Sequence, residues 1–118
     1  MVLVDTSVWG KHLRDGVIVL DDLLEDGHVT CHPFIVGELA CGNLKNRAEI
    51  LALLHALPKA TVAEHGEVMR FIKDNRLIGK GLGFIDLHLL ASAVLSGIQL
   101  WTMDKRLHRV SLKLGLAY

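Results

Sequence analysis

With 118 residues the chain has the usual size of one domain and can bury a single core. Apolar residues make up 51%, too many for a disordered chain, yet charge or glycine breaks every apolar run, so none suits a membrane span. Net charge is zero but unevenly spread: residues 1–69 hold five Lys/Arg against ten Asp/Glu, and residues 70–113 hold eight against three.

Val2 to Val4 is a short apolar run that reads as a strand of a parallel sheet, beginning the fold at once rather than serving as a signal peptide. Asp5 ends it, and Val8, Trp9, His12 and Leu13 then recur at helical spacing. Asp5 therefore falls at the C-terminal end of a strand beside a helix N-terminus, the edge where open α/β sheets bind ligands. Simple helix capping by Asp5, Thr6 or Ser7 is the competing reading. After the Asp15-Gly16 break, Leu20 to Glu25 reads as a short acidic helix and Val29 to Cys31 as a second strand. Pro33 suits the first position of a helix that stops near Gly42 and carries one charge, Glu38. With apolar residues nearly all round it, Glu38 is expected to be buried, at a cost that calls for a cation, a hydrogen-bond donor or a raised pKa.

Ala48 to Leu57 reads as a helix ended by Pro58, Thr61 to Ala63 as a strand or extended link, and Glu64 to Asn75 as an amphipathic helix. Glycines 79, 81 and 83 punctuate a loop; a helix from Phe84 closes at Gly97, and Ile98 to Thr102 forms the next strand. Asp104 to His108 starts a short helix, and Leu112 to Leu116 is read as a last edge strand. Strands alternating with helices predict a three-layer α/β sandwich, a mostly parallel central sheet flanked by helices, built as one domain over residues 1–118. Cys31 and Cys41 lie in apolar segments and suit a reducing cytoplasm better than a disulfide.

The residues three, four and seven beyond Asp86 are Leu89, Leu90 and Ala93, so Asp86 lies in line with a buried stripe. A helix N-terminus favours an anion there by roughly 0.3–1 kcal/mol, too little to offset further carboxylates nearby. Asp5 and Asp104 each follow an apolar strand, and parallel strands bring them to one edge. Glu38 and Asp86 project from helices near that edge. Four converging acids repel one another unless a hard divalent cation lies among them, and oxygen-only ligands suit Mg²⁺ or Mn²⁺. Capping acids and core hydrogen bonds are the alternative. The basic second half of the chain is suited to a phosphate backbone near such a metal, or is merely a solvated face.

Val-Asp-Thr-Ser-Val-Trp, Val-Gly-Glu-Leu-Ala-Cys-Gly, Gly-Phe-Ile-Asp-Leu-His-Leu-Leu-Ala-Ser-Ala and Leu-Trp-Thr-Met-Asp-Lys-Arg-Leu occur in the order and spacing of the four acidic elements of PIN domains. The chain resembles that family from Val2 to about Leu116, and most closely the VapC-type toxins, the nuclease half of bacterial toxin–antitoxin pairs. The resemblance implies an endoribonuclease in which Asp5, Glu38, Asp86 and Asp104 hold one or two Mg²⁺ or Mn²⁺ ions. It makes Thr6 and Thr102 supporting hydroxyls. RNA as substrate, a cognate antitoxin, a homodimer and a cytoplasmic location away from membranes follow from the same resemblance. Some relatives carry an acid or Asn two residues after the fourth Asp; Arg106 stands there here and puts a second metal in doubt. Lys80, Lys105, Arg106 and Arg109 are the candidate phosphate contacts. His88 is read as a packed histidine, Trp101 as core, and Trp9 as core or a protein interface. The rival readings are a receiver-like module with an acidic Mg²⁺ pocket and an idle PIN fold acting through protein binding. Against the receiver-like module, Asp5 lacks an adjacent acid.

Overall fold

A computed structural model describes residues 1–118. Three parallel strands, β1 (Val2–Val4), β2 (Val29–Thr30) and β3 (Gln99–Trp101), lie in the order β2-β1-β3. Leu3 pairs with Thr30 on one side and Leu100 on the other. Every residue of β1 is buried, as expected for a central parallel strand covered on both faces. Helices α1 (Thr6–Asp15) and α2 (Ile18–Glu25) connect β1 to β2. Helices α3 (Pro33–Ala40), α4 (Arg47–Ala56), α5 (His65–Asp74) and α6 (Phe84–Ser96) lead from β2 to β3, and α7 (Lys105–Lys113) follows. None of these helices is long and apolar enough to cross a membrane.

Single bridges widen the sheet at both edges. The Cys31 N–H donates to Pro58 and the Ala60 N–H to Cys31, each at 2.8 Å, so the pairing falls just before the extended Thr61–Ala63 link. At the other edge Leu100 pairs with Ala117. The expected edge strand over Leu112–Leu116 is displaced, because α7 continues to Lys113. Leu107, Val110 and Leu114 recur at helical spacing and face the core, whereas Leu112 is exposed.

Twenty-five buried residues form one hydrophobic cluster, with Trp9 among them at 1% exposure. Trp101 is only half-buried and packs against Tyr118. Leu87 to Ala93 are buried without interruption, so the middle of α6 is enclosed on all sides. Gly97 ends α6 with φ +64°, a left-handed position that favours glycine. The end of α5 differs. Arg76 takes the left-handed position at φ +54°, with its N–H on the Lys73 carbonyl and the Leu77 N–H on the Ile72 carbonyl. This is the Schellman closure with an arginine where glycine is the usual choice, at a cost of about 1–2 kcal/mol. Both cysteines are free, Cys31 buried and Cys41 exposed.

His32 joins three segments of the core. Its ring Nδ1 accepts the Phe34 N–H at 3.0 Å and so caps α3. A neutral ring has one donor, so Nε2 donates to the Ser92 hydroxyl on α6 at 3.1 Å. Ser92 Oγ also accepts the Ala63 N–H at 3.3 Å. Burial first, and the neighbouring His88 second, lower the His32 pKa to about 4. The unfolded ring titrates near about 6.5, so the unfolded chain binds more protons between the two values. Stability is fully present above the unfolded value and is lost as pH falls toward 4, by up to about 3 kcal/mol. Urea unfolding of the wild type and His32→Gln across that window should differ by this slope. Parallel pH profiles would exclude His32 as its source.

Candidate active site

Asp5 continues the β1–β3 ladder by one residue, its N–H donating to the Trp101 carbonyl at 2.9 Å. That bond holds Asp5 at the C-terminal edge of the sheet, where it is 6% exposed. Its Oδ2 accepts the Ser7 hydroxyl at 2.8 Å and the Thr102 hydroxyl at 2.7 Å. Those hydroxyls in turn accept backbone N–H groups, Ser7 Oγ from Met103 at 3.0 Å and Thr102 Oγ1 from Asp104 at 3.1 Å. The turns after β1 and β3 are thus tied through one carboxylate oxygen. Ser7 is the member sequence reasoning passed over as a cap; its place two residues after Asp5, at a strand-to-helix turn, was the available signal.

The remaining acids are each anchored by one oxygen. Glu38 Oε1 accepts the Thr6 hydroxyl at 2.8 Å. The expected burial of Glu38 is not found: Ile35, Val36 and Leu39 form the buried stripe of α3, and Glu38 falls on the open face with Gly37. Asp86 is half-buried in the first turn of α6, and its Oδ2 accepts the Gly83 N–H at 3.1 Å. Asp104 is exposed and caps α7, its Oδ1 accepting the Leu107 N–H at 2.9 Å.

The other three acids act on Asp86. Asp86 has a raised pKa, chiefly from burial; the Gly83 N–H opposes this, and the charges of Asp5, Asp104 and Glu38 add to it. None of the four is paired with a Lys, Arg or His, since the ion pairs of the chain are Lys11–Asp15 and His12–Asp21. Asp5 Oδ1, Glu38 Oε2, Asp86 Oδ1 and Asp104 Oδ2 accept no protein hydrogen bond. Four spare carboxylate oxygens with no protein cation among them are a donor set for a hard divalent ion. The cluster is loose, with no group of three acids gathered closely enough to enclose an ion by themselves.

Lys80, Arg106 and Arg109 line one cavity, together with Arg76 and Lys113, which sequence reasoning did not single out; Lys105 is not part of its lining. The Arg106 side chain packs over Gly81, where an added Cβ would meet Cδ and Nη1 at 3.2 Å. His88 is buried between Phe34 and Phe84, with ring centroids 4.8 and 4.7 Å away, so it packs rather than reaching the acids' spare oxygens.

A parallel α/β sandwich with these acids at its C-terminal edge is the plan of a PIN domain, and the chain belongs to that family, whose match spans residues 2–113. It is 46% identical over 118 residues to Ribonuclease VapC32 from two strains of Mycobacterium tuberculosis, covering 99% of this chain and 95% of the relative. The crystal structure of PAE2754 from Pyrobaculum aerophilum has a similar fold, with a TM-score of 0.63 over 92% of this chain and 83% of that one, at 20% identity. The family match sets aside the receiver-like alternative.

Proposed function

We propose that this chain is a VapC-type endoribonuclease, the toxin of a toxin–antitoxin pair, that hydrolyses RNA phosphodiester bonds with Mg²⁺ or Mn²⁺. The reading rests on one observation above the others: at the sheet edge Asp86 feels the charges of Asp5, Asp104 and Glu38, and each of the four keeps a spare oxygen with no protein cation beside it. Near-full-length likeness to a relative named a ribonuclease supports it. The 118 residues act as one PIN unit.

A bound Mg²⁺ or Mn²⁺ would offset the negative charge of the phosphodiester and acidify a water. Asp5, Asp86 and Asp104 are the proposed ligands, with Glu38 placed to orient water or to complete the set. Ser7 and Thr102 hold Asp5 Oδ2 and so direct Oδ1 away from the two turns. Thr6 does the same for Glu38. Gly83 and Leu107 fix one oxygen each of Asp86 and Asp104 through backbone N–H groups, which need no side chain to reorganise during reaction. Water adds at phosphorus and the bond to the 3′ oxygen breaks, leaving a 5′-phosphate and a 3′-hydroxyl. Arg106 folds onto the glycine loop rather than supplying a carboxylate or amide, which favours one ion over two. The antitoxin partner covers the acidic edge, and the toxin works as a homodimer in the cytoplasm.

Purified protein should cut tRNA, ribosomal RNA or messenger RNA when Mg²⁺ or Mn²⁺ is present, and stop when a chelator is added. Cutting that persists after exhaustive chelation would rule out the metal-dependent reading.

A further inference from the structure

The cavity beside α7 has a composition that the acid cluster does not explain. Arg76, Lys80, Arg106, Arg109 and Lys113 line a space of about 400 Å³ with no carboxylate among the lining residues. None of the five cations makes an ion pair or a side-chain hydrogen bond within the chain. The apolar part of the lining is Leu77, Val110 and Leu114. Uncompensated positive charges facing one concavity repel one another, and a polyanion relieves that repulsion. Its size lies within the roughly 300–1,000 Å³ of ligand sites.

Two features tie the cavity to the acids and to a purpose. Arg106 lies two residues beyond Asp104 and packs on Gly81, while the Gly83 N–H two residues further along the same loop binds Asp86. One loop thus touches both a cavity-lining arginine and the acid Asp86. Arg76 occupies a left-handed helix-end position normally given to glycine, which keeps a cation at the cavity at the expense of backbone comfort. We propose that this cavity is a nucleotide-binding subsite of the RNA strand, in which the five cations hold backbone phosphates and the apolar side receives the face of a base flanking the cleavage point. The assignment rests on the ribonuclease reading for its substrate class and adds where the strand is held outside the acid cluster. A free mononucleotide shares the phosphate chemistry, but five cations exceed what one phosphate group needs, so the strand is the better fit.

The test is binding of a labelled single-stranded RNA of about 12 nucleotides to the full chain in the presence of chelator, measured across a range of salt. Single-stranded RNA loses about 0.7 in the slope of log affinity against log salt for each phosphate contact removed. Arg76→Gly with Lys113→Ala should weaken binding at least about tenfold and flatten the slope by about one or more. Arg76→Gly alone should raise the melting temperature while weakening binding, a pairing that loss of fold cannot produce. Unchanged affinity and slope in the double variant would overturn the subsite. Adenosine monophosphate binding as tightly as the strand would overturn the strand assignment in favour of a free nucleotide. The two readings fail separately. Normal cleavage with normal binding in the pocket variants removes the subsite alone, whereas pocket-dependent binding without any metal-dependent cleavage removes the nuclease alone.

Discussion

Asp86→Asn lowers the rate of metal-dependent RNA cleavage by about 10²–10³-fold or more, while the protein melts at the same or a higher temperature. The two halves of this result have one cause. Burial and the charges of Asp5, Asp104 and Glu38 raise the pKa of Asp86, so its ionised form is disfavoured in the metal-free chain. An amide in its place keeps an oxygen to accept the Gly83 N–H and removes the repelling charge. The same exchange removes the anionic oxygen proposed to bind the divalent ion. Asp5→Asn should behave alike, because the amide oxygen can still accept the Ser7 and Thr102 hydroxyls. Single-turnover cleavage and thermal melting measured on the same preparations check both halves. Normal rates in both variants would remove these acids from the reaction.

Leu3→Ala destabilises the protein by about 3–5 kcal/mol, a large part of the 5–15 kcal/mol typical of a domain. Leu3 is fully buried in the central strand and paired on both sides, so truncating its side chain leaves a cavity in the middle of the core. The consequence reaches the site, since Asp5 follows the same strand by two residues and its N–H continues the same ladder. Denaturant unfolding should show the full loss, with cleavage falling away at lower temperature than in the wild type. A change below about 1 kcal/mol would mean that the sheet does not carry the core as described.

Much of the acid cluster was legible because each acid interrupts an apolar segment. Asp5 and Asp104 follow short apolar runs, and a carboxylate there can hardly lie anywhere but the sheet edge. Asp86 was legible through the apolar residues one and two helical turns beyond it. Glu38 shows the limit of this reasoning. Its helix is apolar nearly all round, but only one face of α3 meets the core. The end of the chain shows another limit: Leu112 and Leu114 to Leu116 suggest a strand when read locally, whereas Leu107, Val110 and Leu114 together trace a helix face.

By itself the sequence determined the parallel α/β plan, the order of its three strands and which acids stand at strand ends and helix starts, though not the last element, where a helix took the place of the expected strand. Hydrophobic period and strand-end position are local properties, and they survive without knowledge of the neighbours. Tertiary structure decided which carboxylate oxygens are spare. Asp5 and Thr102 are 97 positions apart, and only the β1–β3 pairing brings that hydroxyl to that carboxylate. It also gathered Arg76 and Lys113, from the end of one helix and the end of another, around the cavity shared with Arg106. Charge composition announces that cations are plentiful, but their meeting place depends on how helices cross, and that is settled by packing across the whole core.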